Sequence, residues 1–247
     1  GKTVTLVESI KQVYKELPAS HILACAPSNS AADLIAQRLL TGTGTPIAMT
    51  TLFRINALSR DWKTVDQTLK DKECCNYNKM TGDNFFPAKE ELVKKRILVT
   101  TLCTAGRLAT AVDFPYDHFT HVFIDEAGHA VEPEAIISLS NLLNPNNPQG
   151  GQVVLAGDPK QLGPILRSPL ALEHGLELSL LERLMTKNKV YKRKKEEPHY
   201  DSRVLTKLLR NYRSHPAILK LPNQMFYANE LEVHADQMAR ESLCRWE

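Results

Sequence analysis

The feature that most constrains this chain is an alternation of short apolar runs with segments of helical periodicity. The clear apolar runs are Ile22–Ala26, Arg96–Thr101, His121–Ile124 and Gln152–Ala156. Short apolar runs bounded by polar residues are typical of strands buried on both faces of a parallel sheet. Their alternation with helices favours right-handed crossovers. The sequence therefore predicts an α/β fold with a doubly wound parallel sheet.

The segments between these runs carry helix signals of different strength. Apolar spacing, caps and helix breakers predict helices over Val4–Leu17, Ala31–Leu40, Ala88–Lys95, Pro133–Leu143 and Pro169–Leu184, the last interrupted near Gly175, with a further helix starting at Thr104. Residues 48–58 and Val204–Leu209 are weaker strand candidates, and Pro216–Phe226 is a helix candidate. Residues 59–87 are polar and are interpreted as a surface excursion pinned by Trp62, Tyr77, Phe85 and Phe86.

Composition narrows the class of protein without deciding its function. The 247 residues suffice for one large domain or one and a half, and 43% hydrophobic with 24% charged residues is ordinary for a globular protein. No apolar run reaches the roughly 18 residues of a membrane span. A net charge of +3 is too small to imply nucleic-acid binding by itself. Five cysteines, an odd number without a CxxC pair, argue against a disulfide framework and a zinc site and favour a reducing, cytosolic setting.

Acidic and amide side chains follow two of the predicted strands. Asp125 and Glu126 come directly after the run His121–Ile124, and Gly157-Asp158 with Gln161 follows the next run. Open α/β sheets bind ligands outside the carboxyl ends of their strands. These side chains are therefore candidates for a ligand site. The alternative for Asp125 and Glu126 is a strand that ends in two solvated acids. The alternative for Gly157-Asp158 is a simple turn, since both residue types favour turns.

The first three residues, Gly1-Lys2-Thr3, precede the first predicted helix. A Gly-Lys-Thr sequence that opens a helix is the end of a phosphate-binding loop, in which lysine reaches the β- and γ-phosphates and the hydroxyl binds Mg²⁺. The tripeptide is a weak signal alone, and its position gives it weight. Because the chain begins without methionine and ends at Glu247 in mid-pattern, we expect a fragment with a truncated loop.

Hydroxyl and amide side chains also follow the other two runs. Ser28 and Asn29 precede the helix Ala31–Leu40, where they either cap it or hold a nucleic-acid phosphate at its N-terminus. Thr100 and Thr101 end a strand beside Arg107, and their hydroxyls either contact a sugar-phosphate backbone or act as caps.

The ordered set of these motifs resembles the RecA-like core of superfamily 1 RNA and DNA helicases, in the branch that includes the nonsense-decay helicase. The matching segments are Gly1–Thr3, Ala26–Asn29, Asp125–Gly128, Gly157–Leu162 and Asn211–Pro216. Phe119–His129, Leu155–Pro159 and Thr206–Arg213 are similar to one group within it, the Moloney-leukaemia-virus-10 helicases and their relative Armitage. The resemblance implies a RecA-like P-loop NTPase domain and the start of a second RecA-like domain.

The resemblance also implies ATP and Mg²⁺ as cofactors and a role for each motif residue. Gly1, Lys2 and Thr3 would bind the phosphates, and Thr3 and Asp125 would bind the metal. Glu126 would activate water, Gln161 would sense the γ-phosphate and Arg213 would stabilise the transferring phosphoryl group. His129 replaces the glutamine common at this position, and it either contacts the γ-phosphate or caps the following helix.

Ser28, Asn29, Thr100 and Thr101 occupy family positions that face single-stranded RNA. The implied function is an ATP-dependent RNA helicase, moving 5′-to-3′, in RNA-mediated gene silencing and mRNA turnover. Its implied partners are single-stranded RNA and the ribonucleoprotein components of silencing and decay, in the cytoplasm and in P-body granules, without a membrane. A DNA helicase of the same superfamily and a nucleotide-gated scaffold that clamps RNA are the alternatives.

The predicted domain boundaries follow the basic run that begins at Lys187. We predict a first RecA-like domain over 1–186, a basic linker over 187–202 and the incomplete start of a second domain over 203–247. The chain by itself is expected to be inactive, while the full-length protein is expected to hydrolyse ATP.

Overall fold

The computed structural model describes residues 1–42, 44–111, 113–193, 200–242 and 244, apart from the side chain of Ala111. The chain divides into two compact units, a large unit formed by Lys2–Lys187 and a small unit formed by Gly1 and the residues from Asn188 onward. The predicted boundaries at 186 and 202 stay predictions, and residues 194–199 of the predicted linker lie outside the described residues.

A five-stranded parallel sheet forms the centre of the large unit, as the apolar runs predicted. The strands of the large unit are β1 (Ile22–Ala26), β2 (Leu52–Arg54), β3 (Tyr77–Asn78), β4 (Asp83–Asn84), β5 (Ile97–Thr101), β6 (His121–Ile124) and β7 (Gln152–Leu155). The order in the main sheet is β2-β5-β1-β6-β7, and β3 and β4 form a separate antiparallel pair. β7 is therefore a terminal strand, and Val153 and Val154 are 40% and 37% exposed on it.

The register brings the predicted functional residues to one edge of this sheet. Ala26 is level with Thr101, Cys25 with Ile124, and Ile124 with Leu155. Because all the strands run in the same direction, the residues that follow them meet at one side, here called the carboxyl edge. Open α/β sheets bind ligands at this edge.

Helices cover both faces of the sheet. They are α1 (Lys2–Glu16), α2 (Asn29–Thr41), α3 (Gln67–Asp71), α4 (Lys89–Leu92), α5 (Leu102–Ala111), α6 (Glu132–Ile137), α7 (Pro169–Glu173) and α8 (Leu180–Lys187). Alternate residues of β1 enter two separate cores, because successive side chains of a strand point to opposite faces. Ala24 packs with Ile10 and Ile35 on one face, and Leu23 packs with Leu108 on the other. The doubly wound arrangement predicted from the sequence is confirmed.

Two predicted helices are shorter in the structure. The helix predicted over Pro133–Leu143 ends at Ile137, and Asn141 has a left-handed φ of 55° that a helix cannot contain. The helix predicted over Ala88–Lys95 spans only Lys89–Leu92. The predicted interruption near Gly175 is present between α7 and α8, where this glycine has a φ of 77°.

The polar excursion over residues 59–87 contains a short 3₁₀ helix, α3 and the β3–β4 pair. The Trp62 and Tyr77 rings stack with centroids 3.8 Å apart, and the Arg107 guanidinium lies over the Phe86 ring at 5.1 Å. Phe85 is 42% exposed. Trp62 and Phe86 pack against the two cores and pin the excursion as predicted, and Tyr77 supports Trp62 by stacking. Phe85 contributes less burial than predicted.

The small unit contains one short parallel pair, β8 (Arg210–Asn211) with β9 (Glu232–Val233), and the helices α9 (Pro216–Phe226) and α10 (Gln237–Glu241). The strand predicted over Val204–Leu209 is wrong, because in the described structure the strand begins at Arg210, just after this segment. Among the described residues of this segment, only the Leu209 carbonyl hydrogen-bonds to β9, accepting the Glu232 N–H at 2.9 Å, and Val204 and Leu208 are 44% and 43% exposed. None of the described helices has the length and apolar character needed to cross a bilayer.

Candidate functional site

Asp125 lies directly behind β6 at the carboxyl edge. Its backbone N–H donates to the Cys25 carbonyl at 2.9 Å, which extends the β1–β6 ladder by one step. Its side-chain Oδ1 accepts the Glu126 backbone N–H at 3.0 Å, and the residue is only 1% exposed. The carboxylate is therefore held in one orientation at the rim of the sheet.

Glu126 turns the chain away from the sheet. Its φ of 52° is left-handed, an unfavourable conformation for a residue with a long side chain, and such outliers concentrate at functional sites. The next N–H, of Ala127, donates to the Ala156 carbonyl at 2.8 Å. The turn after β6 is thus fixed to the turn after β7, and the Glu126 side chain stays partly exposed.

Two glycines allow these turns to touch. A Cβ atom added to Gly157 would lie 2.6 Å from the Gly128 nitrogen and 2.8 Å from Leu181 Cδ2. A Cβ atom added to Gly128 would lie 2.8 Å from the Asp158 carbonyl oxygen. Any side chain at either position would therefore separate the two turns.

Lys2 reaches the same place from the first turn of α1. Its Nζ donates to Gln161 Oε1 at 3.2 Å, although the two residues are 159 positions apart in the sequence. Gln161 Nε2 in turn donates to Asp158 Oδ2 at 3.0 Å, and Asp158 Oδ1 accepts the Lys160 N–H. The structure thus joins the predicted phosphate lysine to the predicted sensor glutamine through direct contact.

The donor atoms at this end suit a magnesium ion that is bound together with phosphates. Mg²⁺ prefers oxygen ligands and is held by one or two carboxylates plus phosphates and water. Asp125 offers a carboxylate, and Thr3 offers a partly exposed hydroxyl in the first turn of α1. In the described ranges no group of three or more His, Cys, Asp or Glu side chains could hold a metal by itself.

His129 connects the two turns instead of capping a helix. Its Nδ1 lies 3.2 Å from the Leu162 carbonyl oxygen, which accepts a hydrogen bond when this nitrogen carries the proton. α6 begins three residues later, with Val131 at its N-cap position and no side-chain cap. The cap predicted for His129 is therefore wrong, and the contact to the γ-phosphate stays a prediction.

Ser28 and Asn29 lie at the other end of the carboxyl edge, behind β1. Ser28 Oγ accepts the Ala31 N–H at 3.2 Å and is the N-cap of α2, one of the two roles predicted for it. Asn29 begins α2 with an exposed side chain, and its Oδ1 accepts a hydrogen bond from Arg54 Nη2 at 3.1 Å.

The two predicted threonines differ in their accessibility. Thr101 is partly exposed, and its hydroxyl donates to Thr104 Oγ1 at 2.9 Å at the start of α5. Thr100 is fully buried, and its hydroxyl donates to the Ile55 carbonyl at 2.9 Å. The prediction that Thr100 contacts RNA is therefore wrong in this structure, because alternate residues of β5 point to opposite faces and its hydroxyl ties β5 to the segment after β2.

A buried charged network supports α2, and sequence reasoning did not find it. Arg54 in β2 is fully buried, and its Nε donates to Asp33 Oδ1 at 2.9 Å. Arg60 Nη1 and Nη2 donate to Asp33 Oδ1 and Oδ2 at 2.9 and 2.5 Å. Burial lowers the pKa of the Arg54 guanidinium, and the Asp33 carboxylate opposes that shift. One signal in the sequence could have indicated this network, namely an arginine inside an apolar run. A charge in such a run is expected to be buried, and a buried charge requires a partner.

Two further predicted site residues, Arg213 and Gly1, belong to the small unit. Arg213 is exposed in the small unit, where its backbone N–H donates to Asn211 Oδ1 at 2.9 Å. Gly1 is exposed directly before α1. The roles predicted for both, as for Lys2, Thr3, Asp125, Glu126 and Gln161, stay predictions about a bound nucleotide.

Comparison with known protein families gives matches to two domain models, which together cover nearly all of the chain. One model described as an AAA domain matches residues 1–61 and 54–169, and a second AAA domain model matches residues 176–247. These matches, together with the parallel sheet, confirm the predicted RecA-like α/β fold and the start of a second such domain.

Comparison with individual proteins confirms the predicted resemblance. The chain is 54% identical to a putative helicase mov-10-B.2 of Danio rerio, with 100% of the chain and 23% of the relative covered. It is 52% identical to a putative helicase MOV-10 of Gallus gallus, with 100% and 25% covered. It is 34% identical to a probable RNA helicase armi of Drosophila melanogaster, with 98% and 21% covered. The chain thus spans about a quarter of the length of these relatives or less. With these family matches over residues 1–169 and 176–247, the chain belongs to the AAA domain family.

Proposed function

We propose that this chain is the nucleotide-hydrolysing core of an ATP-dependent RNA helicase, which couples ATP hydrolysis to movement along single-stranded RNA. The observation that carries the proposal is the contact between Lys2 Nζ and Gln161 Oε1, in the loop after β7, whose first turn packs against the turn that holds Asp125 and Glu126. A cation, an amide and two carboxylates meet at the carboxyl edge, which is the arrangement that phosphoryl transfer needs. The names of the relatives, putative helicases and a probable RNA helicase, support the same proposal.

The proposed cofactors are ATP and Mg²⁺. Lys2 would bind the β- and γ-phosphates, Gly1 and Thr3 would lie beside them, and Thr3 and Asp125 would hold the metal. When bound, Mg²⁺ supplies positive charge that stabilises the transferring phosphoryl group. Asp125 suits this role because its carboxylate is already oriented by the Glu126 N–H.

Glu126 is proposed to orient and deprotonate the attacking water. A general base must reach that water, and the left-handed turn at Glu126 carries its side chain out of the buried strand end. Arg213 is proposed to supply further positive charge to the transferring group, a role that is worth about 10³–10⁵ in rate in other nucleotide hydrolases.

Gln161 is proposed to couple nucleotide binding to the rest of the edge. Its Oε1 accepts from Lys2 Nζ, the atom that a nucleotide phosphate would also engage. A bound phosphate would therefore compete with Gln161 for this lysine and release the glutamine side chain. The Gln161 loop contacts the turn after β6 through Gly157 and Gly128. Release of Gln161 would therefore change the position of the turn that carries Glu126.

Ser28, Asn29 and Thr101 are proposed to contact the RNA strand from the β1–β5 end of the edge. These contacts would go to phosphate and sugar, so binding would be tolerant of sequence and would weaken with salt. Contacts with the 2′-hydroxyl would favour RNA over DNA.

The wider role is proposed from the resemblance. We infer movement in the 5′-to-3′ direction, participation in RNA silencing and mRNA turnover, and partners among the corresponding ribonucleoprotein components. The proposed location is the cytoplasm, including P-body granules.

The test uses the full-length protein that carries this chain, with ATPase rates measured in the presence of single-stranded RNA, of single-stranded DNA and of neither. RNA should stimulate hydrolysis most strongly. Glu126→Gln should lower the ATPase rate about 10²–10⁴-fold while ATP-dependent RNA retention persists. Glu173→Gln, the same substitution on exposed α7, is the matched control and should leave the rate unchanged.

Each alternative has its own outcome in this assay. Stimulation by DNA alone would point to a DNA helicase. An inactive wild-type protein that still retains RNA in response to ATP would point to a clamp. Full ATPase activity in Glu126→Gln would overturn the catalytic assignment.

A further inference from the structure

We propose that Arg54 is a positioning residue, which holds the Asn29 amide with its nitrogen outward so that Asn29 donates hydrogen bonds to RNA phosphate or ribose oxygens. The inference rests on the proposed function, because it concerns the same RNA contact. It adds a buried residue on another strand to that contact and specifies which atoms Asn29 offers.

The Arg54 guanidinium has a fixed position. Its Nε donates to Asp33 Oδ1 at 2.9 Å, its Nη1 to the Ile55 carbonyl at 2.5 Å, and its Nη2 to Asn29 Oδ1 at 3.1 Å. The group is planar and presents its donors in a rigid fork. Because Asp33 and the Ile55 carbonyl already fix that plane, the direction of the donor toward Asn29 is also fixed.

This donor determines how the Asn29 amide is oriented. Arginine can donate hydrogen bonds but cannot accept them, so the atom of Asn29 that faces Arg54 must be its oxygen. The amide nitrogen, with its two hydrogens, then faces away from Arg54. Since Asn29 is exposed in the first turn of α2, its outward amide nitrogen offers a ligand two N–H donors, while its oxygen faces Arg54. RNA phosphates and ribose hydroxyls provide the matching acceptor oxygens.

The charges around Arg54 support orientation as its purpose. Asp33 lies between Arg54 and Arg60, so this buried group contains two cations and one anion. A buried ion group is weak evidence for stability, because the desolvation of its charges offsets their attraction. Stability therefore does not explain why this buried charged group is present, whereas the orientation of the exposed Asn29 amide does.

The alternative is that Arg54 only holds β2 against α2. That role and the positioning role differ in one measurable respect, which is their dependence on Asn29. If Arg54 acts on RNA through the Asn29 amide, its substitution should matter only while that amide is present. A double-mutant cycle between the two residues therefore separates the two roles.

The experiment measures the affinity of the full-length protein for a fluorescently labelled single-stranded oligouridylate, without nucleotide and at fixed salt. The variants are Asn29→Ala, Arg54→Lys and the double variant. The matched control is Arg60→Lys, since Arg60 also pairs with Asp33 but makes no described contact with Asn29. Lysine keeps the charge but loses the fork.

We expect Asn29→Ala and Arg54→Lys each to weaken RNA binding about three- to tenfold, the worth of one hydrogen bond. The double variant should bind no more weakly than Asn29→Ala, and Arg60→Lys should stay within about twofold of wild type. Arg54→Lys alone at wild-type affinity, or single effects that multiply in the double variant, would overturn the positioning role while leaving the RNA contact intact. Wild-type affinity in Asn29→Ala would overturn both the inference and the proposed RNA contact.

Asn29→Asp provides a test that leaves Arg54 untouched if Arg54→Lys does not fold. An aspartate would keep an oxygen toward Arg54 and would replace the outward amide by a second acceptor. A carboxylate in the first turn of a helix is also favourable. We expect α2 to be at least as well protected from hydrogen exchange as in wild type, while RNA affinity falls more than about tenfold. RNA affinity equal to that of wild type would overturn the proposal.

Discussion

The two ends of the carboxyl edge are built in different ways. The β6–β7 end relies on close backbone approach, with Gly157 against Gly128 and a left-handed Glu126, and its polar contact between Lys2 and Gln161 is exposed. The β2–β5–β1 end relies on charge, with a fully buried Arg54 that links Asp33 to Asn29. The first end can exchange partners when a ligand arrives. The second holds its exposed amide in place, so one sheet supports a changeable end and a fixed end.

The largest expected effect comes from Asp33→Asn, which removes the anion between two guanidinium groups. An uncompensated buried charge costs about 3–5 kcal/mol, so α2 and β2 should open more often. Hydrogen exchange of these elements in the full-length protein measures this cost. Asp71→Asn on exposed α3 is the control and should change little. Equal protection in both variants would show that the fixed end does not depend on its buried charges.

Acid should destabilise the sheet at its amino-terminal edge, opposite the carboxyl edge. His118 and His21 lie there, just before β6 and β1, with their rings 4.3 Å apart. Burial, and then the charge of His21, lowers the pKa of His118 to about 4, against 6.5 when unfolded. The unfolded chain therefore binds more protons between these values. The contribution of His118 to the free energy of unfolding is therefore fully present above pH 6.5. It falls by as much as about 3 kcal/mol as the pH drops toward 4.

Urea unfolding at a series of pH values measures this loss, and His118→Phe should flatten the dependence. An unchanged pH profile in that variant would exclude His118 as the titrating group. His118 and His21 do not belong to either end of the carboxyl edge. Both ends should therefore weaken together in acid, as the sheet that they share loses stability.

Gly157→Ala should damage the changeable end selectively. The added Cβ would lie 2.6 Å from the Gly128 nitrogen, so the two turns must separate, at a cost of about 1–3 kcal/mol. Displacing Glu126 by even a fraction of an ångström should lower the ATPase rate up to about 100-fold. RNA binding without nucleotide should be retained. Gly163→Ala, with no atom within 4 Å of its Cβ, is the matched control, and equal ATPase rates in the two variants would contradict the close-approach model.

His129→Ala should have the smallest effect. It removes one partly exposed hydrogen bond to the Leu162 carbonyl, worth about 0.5–1.5 kcal/mol. Faster hydrogen exchange confined to residues near 162 would locate this bond in the loop after β7. Slowed RNA binding without nucleotide would instead show that the two ends are tied more tightly than their separate construction implies.

Much of the fold follows from the sequence, because buried strands need apolar runs and helices need caps and breakers. β1 spans the predicted Ile22–Ala26, and α2 carries the predicted serine cap. The strand at Val204–Leu209 was wrong because an apolar run does not guarantee a pairing partner. Composition also could not show that β7 is terminal, since its residues are as apolar as those of buried strands.

The candidate site divides in the same way. Motif residues at strand ends could be predicted, because parallel strands bring their carboxyl ends to one edge. The buried state of Thr100 could not, since the face of β5 that it occupies depends on the register. The network of Arg54, Asp33 and Arg60 has no periodic signature, because its members come from a strand, a helix and a loop. Only the charge within an apolar run marked its presence.

The exposed side of β7 has a practical consequence for handling this chain. A terminal strand with half-exposed valines presents unpaired backbone groups beside an apolar surface, which is a template for pairing with another strand. Preparations of this chain should therefore self-associate as the concentration rises. A lysine in place of Val153 or Val154 should keep such preparations monodisperse, because a charge on an edge strand opposes the docking of a second copy.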